Sequence, residues 1–276
     1  MSGKLYVVGT PIGNLSDFSP RAIETLSQAD FIAAEDTRVT IKLLNRFNIS
    51  TPMISYHKYN ANERGDEICS RIENGENCAI VTDAGMPCIS DPGELLVRQC
   101  ADRGIQVCAV PGPTALASAV AISGLPTGRF AFEGFLSVNK PSRREHLVSL
   151  IHEKRTMVFY EAPHKLSATL RDMLQYFGDR RISIVRELTK VHEEVIRTTL
   201  AEAVEKYSDD SIKGEIVLVI EGCHEEEKKD STIEEALNTA KELVETGMSL
   251  SDAARESAKL TGFKKGEIYK LLLNDK

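Results

Sequence analysis

No apolar run in this chain approaches the ~18 residues that a membrane-spanning helix needs, and no basic segment followed by an apolar one opens it. Both absences predict a cytoplasmic protein without a membrane partner. No C-x-x-C pair occurs among the six cysteines, Cys69, Cys78, Cys88, Cys100, Cys108 and Cys223. Their scatter through core-like segments fits buried, reduced thiols of a cytosolic protein. His57, His146, His152, His192 and His224 lack metal-ligand spacing, so no metal is expected. The formal charge of −7 excludes a uniformly cationic surface and leaves only local basic patches. Neither G-x-G-x-x-G nor G-x-x-x-x-G-K-[ST] is present, which disfavours ordinary dinucleotide and P-loop phosphate sites.

What is there is a globular chain of 276 residues, 42% hydrophobic, enough for two domains and a small third piece. In the first half, short apolar strands (KLYVVG, DFIAAED, CAIV, QVCAV) alternate with helical segments. Alternation of this kind predicts an α/β domain with a parallel sheet over residues 1–126. From about Phe130, FAFEGFL, TMVFYEA, RISIVREL, VHEEVIRTT and EIVLVIEG read as strands of a second α/β domain with a mixed sheet, 127–224. The charged linker CHEEEKKDS places a boundary near Glu226. Beyond it, 231–276 reads as a small helical tail. Two short amphipathic helices flank Thr261–Gly262 there, and Ala258 four residues before Gly262 allows helix-turn-helix packing. A packing or dimerisation appendage is the leading reading of this tail, and Lys259, Lys264, Lys265 and Lys270 lend some weight to a nucleic-acid contact instead.

Four turns that follow predicted strands hold the chemistry: GTPIGNL (Gly9–Leu15), EDTR (Glu35–Arg38), TDAGMPCISDPG (Thr82–Gly93) and VPGPTAL (Val110–Leu116). In an open parallel sheet, ligands sit outside the carboxyl ends of the strands, so all four loops can converge on one rim. Glycine lets main chain approach a ligand closely, and proline stiffens the wall. With Arg38 as the one cation, such a rim suits a nucleoside-type ligand without polyphosphate, of which S-adenosylmethionine (SAM) is one. Asp91, before PGELL, is placed to cap the following helix.

The series GTPIGNLSD, AAEDTR, VTDAGMPCISDPG, VPGPTAL and FYEAPHKL, in this order and at these distances, resembles the tetrapyrrole methylase superfamily of SAM-dependent methyltransferases. More closely, it is similar to the bacterial ribosomal RNA small subunit methyltransferase I family, from about Lys4 to Gly222 and again in the tail. The resemblance implies a two-domain fold with SAM in the cleft between domains, a homodimer, and 2′-O-methylation of a cytidine in the decoding region of 16S rRNA. It carries cofactor contacts to Pro11 in the first loop and to Ala84, Gly85, Met86, Ile89 and Ser90 in the long one. It further implies Thr114 and Ala115, then Tyr160, Glu161 and Ala162 from the second domain, with Glu215 and Ile216 at the last strand. One departure stands out. Tetrapyrrole-modifying members usually have Gly-Asp-Pro where this chain has Gly85-Met86-Pro87, which weighs against a corrin or porphyrin substrate.

A ribose hydroxyl needs a base to remove its proton as the new bond forms. Asp36 and Glu187 are the candidates for it. Arg38, Arg186 and Lys190 are candidate substrate or hydroxyl contacts, and a loop salt-bridge network is the competing explanation for both charged groups. His164 opens a helix and reads as structural. An RNA substrate, as 16S rRNA or the small ribosomal subunit, needs phosphate-binding charge. Lys140, Arg143 and Arg144 in NKPSRREH, with Lys154 and Arg155 beside them and Lys264 and Lys265 in the tail, are the candidates. The alternatives are a small-molecule methyltransferase of the tetrapyrrole type and a non-catalytic, nucleoside-sensing DNA-binding regulator.

Overall fold

A computed structural model describes residues 2–208, 212–224, 232–245 and 247–274. The linker boundary expected near Glu226 lies outside them. The chain forms two compact units, Met1–Cys223 and His224–Lys276. The larger one contains two five-stranded sheets.

The first sheet is built from β1 (Lys4–Val8), β2 (Phe31–Ala34), β3 (Met53–Ser55), β4 (Cys78–Val81) and β5 (Gln106–Val110). Its order is β3-β2-β4-β1-β5, with every pairing parallel. β2 and β4 are buried along their whole length, as parallel strands covered on both faces must be. One face is covered by α1 (Pro20–Gln28) and α2 (Thr37–Arg46), through Ala22, Leu26 and Leu44. The other is covered by α3 (Ala61–Glu73) and α4 (Gly93–Asp102), through Ile68, Ile72 and Leu96. Ser19 starts α1 as its side chain accepts from the Ala22 N–H, with Pro20 in the first turn, the pairing expected of a helix start. β3 is absent from the strands read in the sequence. It is three residues long and only half-buried, too short to show alternation.

α5 (Ala115–Ser123) follows β5 but packs on the second sheet, where Ala119 and Val120 meet Val158, Val185, Val217 and Val219. That sheet comprises β6 (Phe130–Phe135), β7 (Thr156–Glu161), β8 (Arg181–Arg186), β9 (Glu194–Thr199) and β10 (Ile216–Ile220) in the order β6-β7-β10-β8-β9. Only β6–β7 is parallel; the other three pairings are antiparallel. The sheet is therefore mixed, as the sequence predicts. Its opposite face carries α6 (Lys140–Ser149), α7 (Leu166–Phe177) and α8 (Leu200–Lys206) over a core of Leu147, Met157, Phe159, Leu170 and Leu218. Register gathers three strand ends. Ile216 pairs with Glu161 on one side and Arg186 on the other, so the end of β7, the start of β10 and the end of β8 meet at one edge.

Among its described residues the smaller unit has three helices, α9 (Ile233–Glu245), α10 (Leu250–Thr261) and α11 (Lys265–Asn274), and no strand. They enclose Ala236, Ala240, Ala254, Ile268 and Leu272. Gly262 ends α10 with φ of +77°, its N–H donating to the Ala258 carbonyl, which is the turn expected from that spacing. Among the described residues no helix is long and apolar enough to cross a membrane. None of the six cysteines is in a disulfide, and Cys69, Cys78 and Cys100 are buried.

Leu218 is fully buried in the middle strand of the second sheet. Leu218→Ala is expected to lower the unfolding free energy of the larger unit by ~2–5 kcal/mol, read as a lower midpoint in urea at unchanged slope.

Candidate functional site

Because the first sheet is wholly parallel, the carboxyl ends of β1, β2, β4 and β5 share one edge, and the four Gly- and Pro-rich loops gather there. Main chain locks them together. The Thr10 N–H donates to the Gly85 carbonyl (2.9 Å) and the Gly85 N–H to that of Thr10 (3.2 Å). Gly85 has φ of +91°, a conformation open to glycine at no steric cost. The β1 and β5 loops cross at Gly9 and Gly112, where a Cβ on Gly9 would lie 2.6 Å from Gly112 Cα. In the β4 loop, Cys88 and Ser90 have φ of +72° and +66°, strained for residues with side chains. Asp91 stands one residue ahead of Pro92, which occupies the N-cap of α4. Its Oδ1 nevertheless accepts from the Gly93 N–H at 2.7 Å, so the cap expected of it is made from one position back. Burial pushes the Asp91 carboxyl above its ordinary range.

Opposite this rim lies the edge where β7, β8 and β10 meet, and the two edges enclose a cavity of about 420 Å³. Of the residues named from the sequence as cofactor contacts, the β4 loop contributes Ala84, Gly85, Met86, Ile89 and Ser90. Thr114 and Ala115 at the start of α5, then Tyr160, Glu161, Ala162, Glu215 and Ile216 from the second sheet, complete that set. Pro11 does not line the cavity; it faces a different hollow. The neighbouring Ile12 lines it instead, as do Phe135, Pro163, Val185, Leu188 and Val217. Sequence motifs do not single these out. Val185 and Val217 read as core valines, and which sheet face opens onto a cavity is not written in a strand.

The walls are mostly apolar, and neither lysine nor arginine is among the described lining residues. Two carboxylates are: Glu215, and the buried Glu161. Glu161 Oε1 accepts from the Ala162 N–H at 2.8 Å, and its Oε2 accepts from the hydroxyl of the fully buried Thr169. Tyr160 is held by edge contacts with Phe132 and Phe135. Its hydroxyl accepts from the Leu116 N–H at 3.2 Å, and burial raises its pKa.

The charged candidates sit around the rim, each already paired. Asp36 caps α2 by accepting from the Arg38 N–H (2.8 Å) and holds the Arg38 guanidinium at 2.6 Å. That guanidinium depresses the Asp36 carboxyl to about 2. Glu187, at φ of +51°, accepts from Lys190 Nζ (2.8 Å) and from the Glu215 N–H (3.0 Å), and the lysine lowers its pKa. Arg186 is bound to Glu194 at 3.0 Å and to the Lys213 carbonyl. The salt-bridge network that competed with the catalytic assignment is therefore present at both groups. Lys190 packs against the β1 loop at Gly13, where a Cβ would lie 2.5 Å from Lys190 Cγ.

A separate groove of about 560 Å³ between α6 and α7 is lined by Lys140, Arg144 and Lys165 among others. Arg143 differs from the expectation of a phosphate contact. Its guanidinium is spent inside, on Asp172 at 2.6 Å and on the Thr169 hydroxyl at 2.9 Å. Arg155 is likewise held by Glu153. Through Thr169, Arg143 joins the hydrogen-bond chain that ends at Glu161 in the cavity. In the helical unit, Lys265 reaches Ser251 Oγ at 3.0 Å, and Lys264 precedes α11. Among the described residues no group of three His, Cys, Asp or Glu has the geometry to hold a metal ion.

Residues 4–204 match the family model described as Tetrapyrrole (Corrin/Porphyrin) Methylases, and residues 230–276 match one described as the RsmI C-terminal HTH domain. Ribosomal RNA small subunit methyltransferase I of Synechocystis is 46% identical, over 98% of this chain and 98% of the relative. The protein of the same name from Thermotoga maritima is 50% identical over 80% of this chain and 99% of its own length. Among solved structures, a uroporphyrin-III C-methyltransferase from Thermus thermophilus, complexed with S-adenyl homocysteine, superposes with a TM-score of 0.54 at 18% identity. It covers 79% of this chain and 97% of its own, a likeness of fold.

The Asp36–Arg38 pair yields a pH signature. The folded pKa of about 2 lies below the ~3.9 of an unfolded aspartate. The stabilisation is then complete above ~pH 4 and is lost as pH falls through ~2. Asparagine keeps the cap but not the charge. The stability gap between wild type and Asp36→Asn is thus expected to close between about pH 5 and pH 2 in denaturant titrations, and a gap independent of pH would contradict the pairing.

Proposed function

The chain belongs to the ribosomal RNA small subunit methyltransferase I family, within the tetrapyrrole methylases, and from that premise we propose that it methylates the 2′-hydroxyl of a cytidine ribose in the decoding region of 16S rRNA. It is a SAM-dependent methyltransferase. The observation that carries the reading is the cavity between the two sheets, with apolar walls, main-chain polar groups, and Glu161 and Glu215 as its charged residues. SAM has a neutral nucleoside, cationic sulfonium and ammonium groups and one carboxylate, which leaves it net cationic. Glu215 is held by Lys190 Nζ at 3.2 Å, whereas Glu161 has no cation partner among the described residues, and a chamber lined in this way fits a net cationic ligand better than a polyphosphate. Met86 packs partly against the core of the first sheet, an apolar setting that supports an acceptor other than a tetrapyrrole.

When bound, SAM supplies an electrophilic methyl group. The protein's own part is alignment and exclusion of water, which dominate an in-line transfer between two positioned groups. In this reading Ile12, Met86, Ile89 and Leu188 shield the chamber, and Tyr160, anchored by Leu116, fixes its second-sheet wall. The paired groups Asp36–Arg38 and Glu187–Lys190 flank the acceptor as preset charges. Either carboxylate serves as base only after its cation turns to the RNA, because paired carboxylates are weak bases. The 16S rRNA, within or apart from the small subunit, is the proposed partner. The lysines of the helical tail and the α6–α7 groove are proposed to meet its phosphates. A cytoplasmic homodimer completes the proposal.

The test is to incubate purified protein and radiolabelled SAM with small subunits, stripped 16S rRNA and tRNA from cells lacking the enzyme, then identify the modified nucleoside. The expected result is 2′-O-methylcytidine from the subunit or the 16S rRNA alone. Label in another nucleoside, or in no RNA while SAM binds, would overturn the assignment.

A further inference from the structure

The β1 loop is a partition. Ile12 faces the cavity between the sheets, whereas Pro11, Gly13 and Leu15 line a second hollow of about 410 Å³, completed by Lys42, Leu43 and Arg46 of α2 and by Asp83. The β4 loop divides the same way, since Asp83 lines this hollow and Ala84 the cavity. Both loops are fixed by the Thr10–Gly85 bridge, so the hollow abuts the cofactor chamber across a wall of defined position.

Its electrostatics are opposite to those of the chamber. Arg38, Lys42 and Arg46 are spaced by four along α2, which puts them on one helix face with a rise of ~6 Å per step. Arg38 is held by Asp36. Lys42 and Arg46 are exposed, and no carboxylate among the described residues pairs with either. Two cations without a carboxylate partner among the described residues, one turn apart on a helix face and both lining the same hollow, offer a site to an anionic partner. Leu15, 46% exposed, adds apolar surface of the kind a base or ribose covers. Asp83 is the one acidic residue among the described lining residues. Its Oδ1 accepts from the Asp36 N–H at 3.1 Å, and Oδ2 has no partner among the described residues, leaving an acceptor for a ribose hydroxyl or base amine.

We infer that this hollow holds the RNA backbone next to the methylated nucleotide: Lys42 and Arg46 contact consecutive phosphates, Leu15 takes the sugar or base between them, and the target ribose is presented over the Pro11–Gly13 wall to the chamber. The inference rests on the rRNA reading and adds the track by which single-stranded RNA enters, combining a positive groove with surface for bases as such tracks do.

The test measures binding of stripped 16S rRNA to wild type and to Lys42→Ala/Arg46→Ala over a salt series, with SAM affinity measured by calorimetry on the same preparations. Each phosphate contact to a single strand contributes about −0.7 to the slope of log K against log salt. The variant is expected to bind SAM as wild type does and to lose about 1.4 from that slope. Between 50 and 200 mM salt the wild type should then lose about sevenfold more affinity than the variant. An unchanged slope with RNA affinity within twofold of wild type would overturn the proposal. Should the double variant lose SAM binding through misfolding, Lys42→Gln and Arg46→Gln, each at an exposed position, replace it with about 0.7 expected from each. Failure of wild type to bind or label any RNA would instead refute the rRNA reading itself.

Discussion

The ligand end of the molecule depends on main chain packed against main chain. Two contacts set it: the Thr10–Gly85 bridge between the β1 and β4 loops, and the crossing of Gly9 over Gly112 between the β1 and β5 loops. Polar backbone groups at such a crossing must find partners: Thr10 and Gly85 satisfy one another, and the Gly9 N–H donates to the Val110 carbonyl at 3.1 Å. The loops are consequently a preformed wall, which is why a connection as long as Thr82–Gly93 can be tolerated between a strand and a helix that need only a few linking residues. The left-handed conformations at Cys88 and Ser90 are sustained by that same frame, since local strain persists only where the surroundings over-determine it.

Charge is sorted around this wall. The chamber between the sheets is lined by carboxylates and apolar groups, whereas the basic side chains stand outside it, in the α6–α7 groove, along α2, and at Lys190, which pairs with Glu215 at the chamber's edge. A cationic cofactor and a polyanionic acceptor require that segregation, because a lysine inside the chamber would repel the first and misdirect the second. Many of the remaining cations are neutralised in place. Arg143 by Asp172, Arg155 by Glu153 and Arg186 by Glu194 contribute little to any RNA field.

Much of this was legible from residue types. The runs CAIV and QVCAV announce buried parallel strands, parallel strands dictate a common edge for four Gly/Pro loops, and Ser19-Pro20 marks a helix start. Contact residues carried over from the motifs converge on one cavity, with Pro11 across the wall from it. Other features depend on partners distant in sequence. Arg143 looks like a surface cation until Asp172, 29 residues on, is brought beside it. Val185 and Val217 look like core until the paired ends of β8 and β10 are seen to open onto a cavity. β3 escaped because three half-buried residues carry no period. The pairing of Asp36 with Arg38, two residues apart, was the local exception, foreseeable as a capped and salt-bridged helix start.

The most direct test of the account is calorimetric titration of SAM into wild type and Gly85→Val. Gly85 has φ of +91°, and a Cβ there would stand 3.2 Å from Ile12 Cγ2, so a branched side chain must open the loop junction that shapes the chamber. Wild type is expected to bind one SAM per chain, and the variant to bind it at least ~10-fold more weakly, about 1.4 kcal/mol, with cooperative unfolding retained. Equal affinities in two folded proteins would contradict it, because the chamber would then owe nothing to the main-chain contacts that define it.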